Sequence, residues 1–518
     1  MIKRLIIHPF TFALFPILAL LAHNITEVVP RVALRSILIS LAAAVVLLLV
    51  VALITRNWQK AAITTTLVLV LFYSYGQVYE FLQAHSIFGL NFGRHRYLAI
   101  IYAVLLLVGL WTVLFRSKNL TIPTQMLNII GVLLLIYPLY QIVSYSLHTS
   151  QSEQRLSVVT PNVDTSVLTK PKNLPDVYFI VLDGYERGDA LLKDLNFDNS
   201  AFLDKLTSMG FYVANCSRSN YGSTHESITV TLNMDYLPAL RSEMEAQGFT
   251  NSEDLWILLK QSKVRSLLKS MGYKTVAFES GFEWTRLRDA DIYLQYTGVP
   301  YEMQVFQPFE AMLIRSTALL IWSDSTYKAL PAYTKTIFNV TKFSFEDHIN
   351  RQLFILDQLP RLTSIPGPKF IFAHILIPHP PFVFTATGAI QTNPDFYSAD
   401  GFRPIDGEHE AVGYLNEIQF LNIRMSDILH TIITNSAVPP IIVLMSDHGS
   451  SFVDHNLNLG AYYLPDNGKQ ALYPSITPVN SFRVIFDQYF GANYDLLPDI
   501  SYEKGVPLPE AYPECSQP

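Results

Sequence analysis

Cysteine and charged residues are both scarce in this sequence. Among 518 residues only two are cysteines, Cys216 and Cys515, which excludes a disulfide-rich scaffold and a cysteine-based zinc cluster. One bridge between them stays open if both face an oxidising compartment, and two separate thiols are the alternative. Charged residues form 15% of the chain, and Lys and Arg form no long run. This charge pattern gives no indication of nucleic-acid binding.

Hydrophobic residues make up 50% of the chain and charged residues only 15%, a combination that is too apolar for a soluble protein. Before residue 153, charges are sparse and leave apolar stretches at 5–26, 36–55, 61–79, 97–115 and 126–147. A helix needs about 20 mainly apolar residues to span a bilayer. We therefore predict an N-terminal bundle of five transmembrane helices.

The first stretch is the weakest, since His8, Pro9, Pro16 and His23 interrupt it. A cleaved signal peptide is the alternative. No small-residue cleavage site follows, however, and four more apolar stretches do, which favours a retained helix.

The positive charges between the stretches predict the orientation. Six lie on one side (Lys3, Arg4, Arg56, Lys60, Arg116 and Lys118) and four on the other (Arg31, Arg35, Arg94 and Arg96). This bias predicts a cytoplasmic N-terminus. We expect a multi-pass plasma-membrane protein with a transmembrane domain at 1–148, a linker at 149–174 and an extracytoplasmic domain at 175–518.

The pattern of the outer region is that of an α/β fold. Apolar runs at 177–182, 274–278, 369–374 and 440–445 predict strands, and 199–209, 254–271 and 412–434 predict helices. Alternating strands and helices imply a mainly parallel sheet covered on both faces. Ligands bind at the carboxyl ends of such strands, where Asp183, His374 and the pair Asp447 and His448 stand.

Three segments carry the chemistry: Leu-Asp-Gly at 182–184, Asn-Tyr-Gly-Ser-Thr-His-Glu-Ser at 220–227 and Ser-Asp-His-Gly at 446–449. Together they resemble the sulfatase and alkaline phosphatase superfamily. The layout is most similar to its membrane-bound branch, which includes lipoteichoic acid synthases and lipid A phosphoethanolamine transferases. The resemblance implies five spans followed by an α/β alkaline-phosphatase-like domain with a mainly parallel central sheet.

By this resemblance Asp183 is the first metal ligand, Thr224 is the nucleophile and also a ligand, and Asp447 and His448 complete the site. Carboxylate oxygens with one imidazole suit Zn or Mn. A divalent ion also lowers the pKa of a bound hydroxyl, without which threonine is a poor nucleophile. A bland alternative is that Asp183 is a turn residue and Thr224 a helix N-cap, with Ser223 the rival nucleophile.

Two histidines five residues apart, His374 and His379, resemble the H-x-x-x-x-H-x-P element of the phosphoethanolamine transferases, in which the second histidine contacts the substrate phosphate. His379 is therefore the stronger substrate-binding candidate. His374 is the weaker one, because a strand-end histidine bonded to backbone is its alternative. His455 is a further candidate for substrate binding.

The sequence also departs from its relatives. Cys216 does not begin the C-x-P/A-x-R motif that formylglycine sulfatases need. Asp183 stands where the lipid-transferase branch usually has Glu. The leading hypothesis is a metal-dependent phospho-group transferase that uses a membrane lipid or lipid-linked substrate. The alternatives are a phosphate or sulfate ester hydrolase and an inactive membrane-anchored binding module.

Overall fold

The computed structural model describes residues 5–25, 30–84, 94–156, 163, 165, 166, 168–249, 255–297, 308–321, 340–393, 396, 407–450, 452, 454–503 and 505–508. Its contacts divide the chain into two compact units. The helical unit comprises 1–151, 299–346 and 400–404, and the sheet unit comprises 152–298, 347–399 and 405–518. The predicted boundaries at 148 and 174 stay predictions.

Apolar helices form at all five predicted positions. They are α1 (His8–His23), α2 (Ala33–Thr55), α3 (Trp58–Ala84), α4 (His95–Trp111) and α5 (Thr121–Leu156). Four stretches are long and apolar enough to cross a membrane: Pro30–Thr55, Trp58–Leu82, His95–Arg116 and Thr121–Leu147. The first helix has 16 residues, which is shorter than the usual span. A fifth crossing therefore stays a prediction.

Large apolar side chains cover the outside of these helices. Leu38, Leu53 and Phe115 are 67%, 79% and 79% exposed. In water such a surface would be an aggregation site, whereas in a bilayer it is matched by lipid. The chain is accordingly a membrane protein.

A segment distant in sequence packs against the same helices. Helix α12 (Pro308–Ser316) places Phe309 in a buried cluster with Ile17 and Leu21. The carboxylate of Glu310 forms an ion pair with Arg35. Gly76 of α3 lies so close to the segment that an added Cβ would fall 2.0 Å from the carbonyl oxygen of Arg315. No motif or periodicity in the sequence indicates this contact.

The helix ends in a turn that also contacts the bundle. The backbone N–H of Ala318 donates to the carbonyl of Phe72 at 2.8 Å. Leu320 is buried with Tyr75, Tyr79 and Leu98. Residues 308–321 are therefore an integral part of the helical unit.

In the described part of the sheet unit, Tyr502–Glu503 and Val506–Pro507 form a separate antiparallel pair, and the central sheet has seven strands. They are β1 (Val177–Leu182), β2 (Tyr212–Val213), β3 (Lys274–Phe278), β4 (Ile292–Leu294), β5 (Lys369–Ile375), β6 (Ile441–Met445) and β7 (Gly460–Tyr463), in the order β2-β7-β6-β1-β5-β3-β4. β7 is antiparallel to β6 and to β2, and the other neighbours are parallel. The mainly parallel sheet is confirmed.

Central strand β1 lies between β5 and β6. Val181 is in register with His374 on one side and with Met445 on the other. All residues of β1 are fully buried, which explains its unbroken apolar sequence. The residues that follow β1 and β6 therefore meet at one edge of the sheet, beside the end of β5.

Helices cover the sheet. They are α6 (Gly188–Leu195), α7 (Ser200–Ser208), α8 (Thr224–Asn233), α9 (Leu237–Ala246), α10 (Leu255–Lys260), α11 (Lys263–Ser270), α13 (Val340–Gln358), α14 (Gly407–Asn435) and α15 (Pro478–Phe490). The apolar stripe predicted in 412–434 is buried, as at Ile418, Met425 and Ile432.

One predicted helix is wrong in detail. The expected single helix at 254–271 is two helices, α10 and α11, separated at Gln261 and Ser262. The side chain of Ser262 accepts a hydrogen bond from the backbone N–H of Arg265 and so caps α11. Local capping therefore overrides the apolar periodicity that runs through both helices.

Candidate metal centre

Three potential metal ligands converge at the carboxyl edge of the sheet. Asp183 follows β1, His374 lies near the end of β5, and Asp447 follows β6. One ligand atom from each lies within 4.8 Å of the others. All three residues are buried, so their polar atoms need partners.

Two carboxylate oxygens at this edge have no hydrogen-bond partner in the described part of the chain. They are Oδ1 of Asp183 and Oδ2 of Asp447. The other oxygen of Asp447 accepts a hydrogen bond from the backbone N–H of Gly184 at 3.1 Å. The two unpaired oxygens lie 3.7 Å and 3.4 Å from Nε2 of His448. A cation is the partner that buried oxygens of this kind accept.

Thr224 meets the same histidine from another element. It is the first residue of α8, and its Oγ1 lies 3.4 Å from Nε2 of His448. Ser223 occupies the N-cap position and donates its hydroxyl to the carboxylate of Glu226 at 2.9 Å. The N-cap position thus falls on Ser223, and Thr224 faces the other candidate ligands.

These separations fit a small divalent ion. Ligands about 2.0 to 2.1 Å from a tetrahedral ion lie roughly 3.3 to 3.4 Å from one another. Nε2 of His448 is 3.4 Å from Thr224, 3.4 Å from Asp447 and 3.7 Å from Asp183. Three oxygens and one imidazole nitrogen form a donor set that suits zinc or manganese. A buried Asp and His group able to hold a divalent ion is therefore present.

The tautomer of His448 follows from its backbone contact. Its Nδ1 lies 2.7 Å from the carbonyl oxygen of Gly449, which accepts hydrogen bonds but donates none. Nδ1 therefore carries the proton, and neutral His448 presents the lone pair of Nε2 towards Asp183 and Asp447. Burial lowers the pKa of His448, but these two carboxylates outweigh it and raise the pKa overall.

Asp183 is held in its charged form. Burial alone would raise its pKa, yet His379, His374 and His448 together hold the pKa well below its usual range. A carboxylate that stays ionised when buried is ready to bind a cation.

The structure places His374 against side chains. Its Nδ1 lies 2.9 Å from Oγ1 of Thr285, and its Nε2 lies 3.2 Å from Oδ2 of Asp183. The alternative of a backbone-bonded histidine does not hold for Nδ1, whose partner is a threonine hydroxyl on a short turn, Glu283–Thr285. A role of His374 in binding substrate stays a prediction.

His379 and His455 lie around this centre. The ring of His455 packs against the ring of His448 with centroids 5.5 Å apart. Burial lowers the pKa of His455, and the neighbouring imidazoles of His448 and His379 lower it further. His379 is exposed, with its Nδ1 2.8 Å from the carbonyl of Pro380. Their role in binding substrate stays a prediction.

Sequence reasoning missed three neighbours of the site. Nε2 of His348 is buried without a partner among the described residues, and burial lowers the pKa of this histidine to about 3. Glu186 accepts hydrogen bonds from the backbone and hydroxyl of Ser450. Trp284 stacks on His225 with centroids 4.8 Å apart. A histidine inside an amphipathic helix carries no motif, so His348 gave no signal.

Comparison with known proteins gives matches only at the level of structure. No family model matches the sequence. No curated protein matches it either. Among solved structures, the zinc complex of the C-terminal periplasmic domain of EcEptC from Escherichia coli is 12% identical. It covers 66% of this chain and 94% of that one, with a TM-score of 0.41.

Two other solved structures extend the comparison. The integral membrane protein lipooligosaccharide phosphoethanolamine transferase A (EptA) from Neisseria meningitidis is 11% identical, covers 92% of this chain and 94% of that one, and has a TM-score of 0.36. The phosphonate monoester hydrolase of Agrobacterium radiobacter is 13% identical, covers 64% and 76%, and has a TM-score of 0.35. All three matches are below 25% identity and below a TM-score of 0.5. At such low scores they say nothing about the reaction.

Proposed function

We propose that this chain is a membrane-anchored, metal-dependent phospho-group transferase whose sheet unit lies outside the cytoplasm. One observation carries the proposal. Three oxygen atoms lie within 3.7 Å of Nε2 of His448: the hydroxyl oxygen of Thr224 and two buried carboxylate oxygens that have no partner among the described residues. These two are one oxygen each of Asp183 and Asp447, and a buried polar atom of this kind calls for a partner such as a cation.

Asp183, Asp447, His448 and Thr224 are the proposed ligands of the metal. When bound, a divalent ion supplies positive charge that favours the ionised form of a threonine hydroxyl and offsets the charge of a phospho-group. The sequence resemblance to the superfamily supports the same four residues.

The protein residues account for the remaining steps. Oγ1 of Thr224 forms a bond to phosphorus while the bond from phosphorus to the lipid alcohol breaks. The proton that threonine loses is balanced by the one that the alcohol gains. The N-terminus of α8 directs backbone N–H groups towards the anionic phospho-group. His379 and His455 are the proposed contacts to its free oxygens, as cationic or neutral donors.

In the second half-reaction an acceptor hydroxyl attacks the phosphothreonine and restores Thr224. A membrane lipid as donor is supported by the apolar helices in the same chain. Hydrolysis is the alternative, with water in place of the acceptor, because the proposed nucleophile and ligands serve both reactions.

The test uses the full-length protein in detergent micelles. The protein is incubated with phosphatidylethanolamine as a first donor, and the peptide containing Thr224 is analysed by mass spectrometry. A phosphoethanolamine adduct that persists on Thr224 until an acceptor lipid is added supports transfer. Rapid release to water supports hydrolysis. Turnover without any adduct, with Thr224→Ala fully active, overturns the covalent mechanism.

A further inference from the structure

His374 joins the candidate metal centre to a buried hydroxyl pair. The imidazole is buried, with Oδ2 of Asp183 3.2 Å from Nε2 and Oγ1 of Thr285 2.9 Å from Nδ1. Thr285 in turn lies 2.8 Å from Oγ of Ser280. Both hydroxyl residues are buried, so water does not compete for these contacts.

The contacts admit two directions of hydrogen bonding, because each hydroxyl also lies 3.2 Å from the carbonyl oxygen of Phe282, which can accept its proton. The backbone N–H of Phe282 donates to Ser280 at 3.1 Å. In one direction Ser280 donates to Thr285 and Thr285 donates to Nδ1 of His374, which leaves the proton of His374 on Nε2. That Nε2 lies 3.2 Å from Oδ2 of Asp183 and has no well-directed hydrogen-bond partner among the described residues. In the other direction both hydroxyls donate to the carbonyl of Phe282 and Nδ1 of His374 donates to Thr285, which leaves a lone pair on Nε2.

The two oxygens of Asp183 have different neighbours. Oδ1 lies 3.7 Å from Nε2 of His448, on the side of the other candidate ligands, and has no hydrogen-bond partner among the described residues. Oδ2 lies beside His374. An imidazole N–H at Oδ2 leaves Oδ1 to the metal and fixes the plane of the carboxylate.

We propose that His374 and Thr285 are positioning residues that orient Asp183 as a ligand, with His374 in the tautomer protonated at Nε2. This inference rests on the proposed metal site. The opposite direction of the chain makes His374 a direct ligand through a lone pair on Nε2. Removing a residue that hydrogen-bonds a metal ligand typically weakens metal binding about 10- to 100-fold.

The test measures zinc affinity of the full-length protein in detergent by competition with a chromogenic chelator. It also records the visible spectrum of the cobalt-substituted protein, which reports the ligand set directly. The variants are His374→Gln, His374→Leu, Thr285→Val and Thr285→Ser. Glutamine places an amide N–H close to the position of imidazole Nε2, and leucine places none.

The matched control is Thr231→Val. Thr231 is fully buried and donates its hydroxyl to the backbone carbonyl of Ser227 within α8. This variant loses one buried hydroxyl, as Thr285→Val does, but no contact to His374. Thermal unfolding of every variant shows whether it is folded.

A positioning role predicts that His374→Leu and Thr285→Val weaken zinc binding about 10- to 100-fold, while His374→Gln, Thr285→Ser and Thr231→Val stay near the wild-type affinity. The cobalt spectrum keeps its band positions in all of them.

Equal, large losses in His374→Gln and His374→Leu, with an altered cobalt spectrum, identify His374 as a ligand and overturn the proposal. Unchanged affinity in His374→Leu also overturns it, while the metal site itself stands. A wild-type protein that binds neither zinc nor cobalt rejects the proposed function together with the positioning role.

Discussion

Nε2 of His448 lies 3.4 Å from Oγ1 of Thr224, although 224 positions separate the two residues in the sequence. The contact exists because strand β6 ends, and helix α8 begins, at the same edge of the sheet. Asp183 and Asp447 reach that point from β1 and β6. The chemistry assigned to Thr224 depends on this meeting point.

Replacing Thr224 separates the nucleophile from a structural hydroxyl. Thr224→Ala should retain fold and metal, while turnover should fall by several orders of magnitude because the covalent route is lost. Ser223→Ala is the matched control. It removes a hydroxyl that donates to the carboxylate of Glu226, and the loss of that hydrogen bond should cost about 1 kcal/mol of stability with little loss of turnover. The reverse pattern would assign the nucleophile to Ser223.

Replacing Asp447 should remove the metal. Asp447→Asn keeps the shape of the side chain but removes the charge of an oxygen that has no other partner in the described chain. We expect metal content and turnover to fall together. Asp427→Asn, at an exposed position on α14, is the control. Full metal occupancy in Asp447→Asn, measured by elemental analysis, would contradict the ligand assignment.

Glu186 should give the protein a pH-dependent stability. Burial raises its pKa from 4.5 to about 7, although hydrogen bonds from Ser450 oppose the shift. Between pH 4.5 and about pH 7 the carboxyl of Glu186 is ionised in the unfolded chain but still protonated in the folded protein. The free energy of unfolding therefore falls as the pH rises through this range. Over the whole range the free energy of unfolding falls by roughly 3 kcal/mol. Above pH 7 this contribution stays constant.

Glu186→Gln should remove that dependence. Chelator-treated wild type and variant are melted at pH 5 and pH 8, with exposed Glu245→Gln as the control. The wild type should lose more stability over this interval than the Glu186 variant. If the wild type and the Glu186→Gln variant lose the same stability between pH 5 and pH 8, the assignment to Glu186 is wrong.

The ion pair between Arg35 and Glu310 should stabilise the helical unit. Its side chains are 34% and 10% exposed, so each single charge reversal, Arg35→Glu or Glu310→Arg, should cost about 1 to 3 kcal/mol. The double variant restores opposite charges and should recover most of the loss. Thermal unfolding in detergent measures the stability of the two single variants and of the double variant. If the loss in the double variant equals the sum of the two single losses, the two residues are not coupled.

The orientation of the chain is open to a direct test. A reporter that is active only in the cytoplasm should be silent when fused after Pro171 and active when fused after Lys118, which lies in a predicted cytoplasmic loop. A reporter active only outside should give the opposite pattern. Cytoplasmic activity after Pro171 would invert the predicted topology.

Much of the sheet could be predicted because its signals are local. Strand β1 was predicted at its observed bounds, since a fully buried parallel strand is continuously apolar. The meeting of Asp183, His374 and Asp447 also followed from topology, because parallel strands carry their carboxyl ends to one edge.

What could not be predicted depends on packing between distant segments. Thr285 belongs to a short turn, and nothing in its neighbours indicates a contact with His374 in β5. His348 lies in a helix without a motif. The pairing of Arg35 with Glu310 spans 275 positions, and each residue alone is an ordinary charged residue near the start of a helix.

The contacts of residues 308–321 have a practical consequence for purification. A truncated fragment that starts near residue 152 omits the five apolar helices but keeps Phe309 and Leu320, which those helices bury. Without the helices these side chains form an exposed hydrophobic patch, which favours aggregation in aqueous buffer. Deleting 299–346 along with the N-terminal helices removes that patch. A water-soluble fragment suitable for crystallisation therefore requires two excisions from the gene rather than one.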